Sequence, residues 1–137
     1  MKRLTRLLDT VLFPRASAAR PAVQRILLGG YCLWYLASRY RLFLRIAKSD
    51  RAHFRPVGVA TSLKRPLPIA AVHLLLVATL LANVAFLLGW RHRATGPAFS
   101  GLLLWVLTYR NSWSMIYHND NALVLHALIL GLSLIHI

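Results

Sequence analysis

The residues best equipped for chemistry lie in one stretch, TYRNSWSMIYHNDN, at positions 108–121. There, Arg110, Asn111, Ser112, Trp113, Ser114, His118, Asp120 and Asn121 interrupt a chain that is 58% hydrophobic. Arg110 offers a rigid fork of N–H donors and no acceptor, and the amides and hydroxyls add more donors. Such a set suits the anchoring of an anionic or carbonyl group, with His118 the one side chain fit to carry a proton near neutral pH. A helical 108–118 puts Arg110, Ser114, Tyr117 and Asn121 on one face, with Asn111, Ser114 and His118 along its edge. A polar face at membrane depth is costly, so it is expected to point into a bundle or a water-filled cavity.

Two other readings compete. HNDN ahead of ALVLHAL is a good helix start, with Asn119 or Asp120 accepting from free backbone N–H groups, and Asp120 is placed to pair with Arg110 across the turn. A metal site from His118, Asp120 and His126 matches no strong ligand spacing, so no metal is expected. Nucleophile elbows, phosphate-binding glycine loops and paired catalytic carboxylates are absent from the sequence, and most hydrolytic mechanisms lack their parts. Cys32 is the only cysteine, which rules out an intrachain disulfide.

The elements that must hold this stretch are helical. In residues 3–13, Leu4, Leu7, Leu8, Val11 and Leu12 recur at helical spacing opposite Arg3, Arg6 and Asp9, so 1–20 reads as an amphipathic interfacial segment. PAVQRILLGGYCLWYLAS (21–38) follows as a first span, with Pro21 near its start and Arg25 obliged to snorkel or pair inside the protein. Gly29 and Gly30 allow close helix approach, while Trp34, Tyr35, Arg39 and Arg41 mark an interfacial exit. RYRLFLRIAK is expected to continue as a surface helix, and FRPVGVATS reads as a loop. The clearest span is 67–90, long enough to cross about 30 Å of hydrocarbon, with His73 and Asn83 expected to bond between helices. RHRATGP (91–97) reads as a basic turn, 98–117 as a third helix, and 122–131 as the start of a fourth.

The formal net charge of +14 comes from 14 Arg and 3 Lys against Asp9, Asp50 and Asp120. Basic residues placed between apolar runs point to anionic lipid headgroups rather than nucleic acid. They fall eight on one side of the spans and nine on the other, so charge does not fix orientation. Arg in excess of Lys hints at a GC-rich bacterial genome. The last six residues, LSLIHI, match a reverse translation of a transposase-adaptor end, so 132–137 is expected to be non-native read-through.

RILLGGYCLW, FRPVGV, LLGWRHR and above all YRNSWSMIYHNDNALVLHALIL resemble the HTTM (horizontally transferred transmembrane) domain of vitamin K-dependent gamma-carboxylase-like proteins. The resemblance covers about residues 20–131. It implies an all-α polytopic transmembrane bundle, here an N-terminal fragment with three spans and part of a fourth, in the bacterial inner membrane. In the animal carboxylase the matching helix carries a lysine before Thr-Ser-Trp, regarded as the base acting on vitamin K hydroquinone. Arg110 stands at that position, and arginine is effectively never deprotonated, so the resemblance implies a variant without the carboxylation base. A quinone-like ligand follows from the resemblance alone; no other cofactor is expected. The two functional expectations are a ligand-binding or enzyme-like membrane domain, and a non-catalytic scaffold or maturation subunit for a membrane or secreted protein.

Overall fold

The computed structural model describes residues 19–113 and 116–133. These residues are all-helical: α1 (Ala19–Ile46), α2 (Ile69–Leu88), α3 (His92–Asn111) and α4 (His118–Ser133), with 3-10 turns at Arg51–His53 and Gly58–Ser62 and no strand. The amphipathic segment read into 1–20 and Ser114 lie essentially outside the described residues. Of the segment read as adaptor, Leu132 and Ser133 continue α4, and 134–137 lie outside.

Successive helices run antiparallel, α1 on α2, α2 on α3 and α3 on α4, around Cys32, Leu36, Leu76, Phe86, Phe99, Leu103 and Leu107. α1 does not stop at residue 38. It runs unbroken to Ile46, because RYRLFLRI keeps an apolar stripe at helical spacing that buries Phe43. At 28 residues it is about 42 Å long, against about 30 Å for α2.

The turn between α2 and α3 is shorter than the expected 91–97. Gly89 adopts φ 74°, and Trp90 N–H and Gly89 N–H return to the carbonyls of Ala85 and Phe86, a Schellman closure that satisfies the helix end. α3 then starts at His92 and takes in Pro97. Thr95 helps by donating its hydroxyl to the Trp90 carbonyl at 2.9 Å, which closes the turn from the α3 side.

The interhelical bonds expected of His73 and Asn83 are present. Tyr40 Oη lies 2.9 Å from His73 Nδ1, and Asn83 Nδ2 donates to the Gly29 carbonyl at 3.1 Å. Gly29 does meet its neighbour closely, since a Cβ there would lie 3.4 Å from Asn83 and Leu87, whereas Gly30 faces open space. Arg25 is part-buried and pairs with no acid among the described residues. Its guanidinium lies over Gly89 at the C-terminal end of α2, where the helix dipole favours a cation.

Among the described residues one helix, Ile69–Leu88, is long and apolar enough to cross a membrane. α1 carries Arg20, Arg25, Arg39, Arg41 and Arg45, α3 carries His92, Arg93 and Arg110, and α4 has 16 residues.

Candidate functional site

The third helix ends earlier than its sequence suggests. α3 stops at Asn111, and Ser112 is the reason. Its carbonyl accepts the Arg55 N–H at 2.7 Å, so it is not spent on a helical bond to a residue further along. Its hydroxyl donates back to the Thr108 carbonyl and accepts the Val57 N–H at 3.2 Å. Ser112 thereby clamps the 55–57 loop to the end of α3. Trp113 completes the clamp, its ring 5.1 Å from that of Phe54 and 6.1 Å from that of Tyr109. The single polar face expected over 108–118 is therefore not formed.

α4 begins at His118, with the N–H groups of Asp120 and Asn121 directed to the Tyr117 carbonyl. Asn119 and Asp120 are first-turn residues rather than side-chain caps. This places the buried Asp120 carboxylate at the positive end of α4, and Arg110 in the last turn of α3 at that helix's negative end.

The two meet as expected across the turn. Arg110 Nη1 lies 2.8 Å from Asp120 Oδ2, with the side chains 11% and 4% exposed. A third member joins from α1. Tyr35 donates its hydroxyl to Asp120 Oδ1 at 2.7 Å and accepts from Arg110 Nη1 at 2.6 Å. The guanidinium also lies 4.2 Å from the centre of the Tyr117 ring. The result is a closed triangle in which both carboxylate oxygens have a donor, the arrangement a buried ion pair needs if it is not to be a net cost.

Sequence reasoning misses Tyr35, because its place beside Trp34 reads as an interfacial aromatic. A signal is present: Tyr35 follows Leu28 and Cys32 at helical spacing, on a face about 100° around the helix from that of the exposed Leu27, Tyr31 and Trp34.

The other candidates separate. His118 and Asn121 are exposed, and Asn111 is buried away from Arg110's partners, with its Oδ1 unbonded. Asn111, Asn121 and Thr108 instead line a cleft of about 220 Å³ between α3 and α4, completed by Leu104, Leu107 and Val124. The cavity that Arg110 lines, with Phe43, Val72 and Tyr109, is about 10 Å³. His118, Asp120 and His126 do not converge: among the described residues no three His, Cys, Asp or Glu side chains are grouped as metal ligands. His126 Nδ1 is within 2.7 Å of the Ala122 carbonyl one turn back.

No family model, curated protein or solved structure matches the chain. Arg110 and Asp120 neutralise one another, Tyr35 binds both, and the three tie α1 to the α3–α4 hairpin. Further from the turn, Ser100 Oγ lies within hydrogen-bonding distance of the Gly96 and Ala127 carbonyls, at 2.9 and 2.6 Å. There Gly96 and Gly131 let α3 and α4 touch backbone to backbone.

Proposed function

We propose that the chain is a multi-pass integral membrane protein of HTTM-like architecture, resident in the bacterial inner membrane, and that it acts as a non-catalytic scaffold or partner subunit. The observation that carries the membrane reading is the exposure of large apolar side chains on α1, α2 and α4 around a core that also takes in polar ones. Thr79, Asn83, Ser100, Asn111 and Asp120 are buried, while Leu27, Trp34, Leu74, Leu81, Leu88 and Ile129 face outward. Soluble proteins rarely expose apolar surface on several neighbouring helices at once, whereas lipid accepts it and polar side chains turn inward. Only 28% of the spanning window of α2 is buried, which leaves most of that helix for lipid.

The non-catalytic reading rests on Arg110. An arginine is not a base, this one is paired with Asp120, and the adjoining space of about 10 Å³ admits a single water at most. A second reading, ligand binding, is favoured by the Asn111–Asn121 cleft, where a buried amide oxygen lacks a partner.

Topology is tested with single cysteines at Ser49, Arg93 and His118 in a Cys32→Ala background, labelled from each side by an impermeant maleimide. Ser49→Cys and His118→Cys are expected to react from one side and Arg93→Cys from the other; all three reacting from one side refutes the multi-pass reading. The partner role predicts a stoichiometric membrane or secreted protein that co-purifies in mild detergent and is lost on His118→Ala. Ligand-dependent turnover by the isolated chain, abolished in both Arg110→Lys and Arg110→Ala, would overturn it.

A further inference from the structure

Where α1 gives way to α2, the chain forms a half-open cavity of about 460 Å³ at its surface, whose walls include Lys48, Arg51, Arg65, Leu67, Ile69 and Trp113. That volume falls in the range of roughly 300–1,000 Å³ typical of small-ligand sites. Three of its lining residues are cations and none is an acid. Of the two carboxylates among the described residues, neither lines it. Asp120 is spent on Arg110 and Tyr35, and Asp50 accepts the Ala52 N–H at 3.0 Å to cap its own turn. Among the described residues the one ion pair is Arg110–Asp120, so Lys48, Arg51 and Arg65 line the cavity without a salt-bridge partner among those residues.

The remaining walls are apolar and held in place. Trp113 is buried and packed on Phe54 and Tyr109, and Pro66 and Pro68 fix the backbone leading into α2. Pro68 supplies no side-chain cap, so the positive end of α2 lies open beside the same cavity. Ile69 is both a wall of the cavity and the exposed first residue of the spanning helix. An apolar tail leaving the cavity would therefore run directly onto α2.

We propose that this cavity binds a phosphate monoester, with Arg51 and Arg65 gripping its oxygens and Lys48 supplying the third charge. A monoester is close to a dianion near neutral pH and accepts bidentate contacts from guanidinium groups. A single carboxylate would leave two of the three cations unmatched. The same chemistry is offered by the headgroup of an anionic lipid of the phosphatidic acid type and by free phosphate.

The test uses the full chain in phosphatidylcholine nanodiscs, titrated with lysophosphatidic acid and separately with inorganic phosphate, and read by native mass spectrometry. Saturable binding of one equivalent is expected. Arg51→Gln with Arg65→Gln is expected to weaken it about a hundredfold, roughly tenfold for each guanidinium removed. Arg55→Gln with Lys64→Gln removes the same charge from the same exposed segment without touching the cavity, and is expected to change affinity by less than about threefold, as for screened surface charge. Equal losses in the two pairs, or no saturable binding of either probe, overturn the proposal. Binding of lysophosphatidic acid alone identifies a lipid headgroup, and binding of both probes identifies phosphate itself. All four residues are exposed, so none of the variants disturbs the core.

Discussion

Asp120→Asn is expected to be far more damaging than its size suggests. The asparagine can still accept the Tyr35 hydroxyl, so the steric change is small and the loss is electrostatic. Arg110, with a side chain only 11% exposed, is left as a buried cation without its counter-ion. Breaking such a pair from one side costs about 3–5 kcal/mol, and losing the negative charge in the first turn of α4 adds about 0.3–1 kcal/mol. Arg110→Met should cost a similar amount by stranding the carboxylate. The triple change Arg110→Met, Asp120→Leu and Tyr35→Phe removes every polar member together, and is expected to lie within about 2 kcal/mol of the parent, since apolar replacement of a buried pair is often neutral. Exchanging the charges restores the pair but sets Asp at the end of α3 and Arg at the start of α4, against both helix dipoles. It should therefore recover only part of the loss. Reversible unfolding by sodium dodecyl sulfate in mixed micelles, followed by circular dichroism, measures all of these. The reasoning fails if Asp120→Asn costs under about 1 kcal/mol, or if the triple variant is as unstable as the single ones.

Three further outcomes follow from the helix ends and crossings. Gly131→Ala puts a Cβ 2.6 Å from Ser100 Oγ and 2.8 Å from the Gly96 carbonyl, which should cost about 1–3 kcal/mol in the same unfolding assay. Gly101→Ala meets nothing within 4 Å inside α3 and should stabilise by about 0.5–1 kcal/mol. Ser112→Ala releases the Val57 N–H, at a cost of about 1 kcal/mol; hydrogen exchange should quicken at Val57 while the middle of α3 stays protected.

The helices are legible in the sequence because their hydrophobic periodicity is local, and the span read over 67–90 meets α2 to within about two residues at each end, the usual boundary error. The ends of α3 are less so. Its start depends on Thr95 reaching back to the Trp90 carbonyl, and its stop depends on Arg55 claiming the carbonyl of Ser112. The second of these is a bond between segments more than fifty residues apart, which no local pattern reports. The same holds at the polar stretch. Arg110 and Asp120 are ten residues apart, and their pairing follows from the turn between them, whereas Tyr35 comes from 75 residues before Arg110. Asn111 and Asn121 sort into a separate cleft because one step along α3 from Arg110, and along α4 from Asp120, turns the side chain by about 100°, so neighbours in sequence part company in space.

Arg25 and Gly89 belong to different helices, yet each occupies room the other leaves. A methyl group at position 89 would lie 2.9 Å from the Arg25 guanidinium, on a backbone already at φ 74°. In any population of related chains, glycine should persist at 89 whatever stands at 25, because the positive φ strains every side chain there, while 25 is free to vary beneath it.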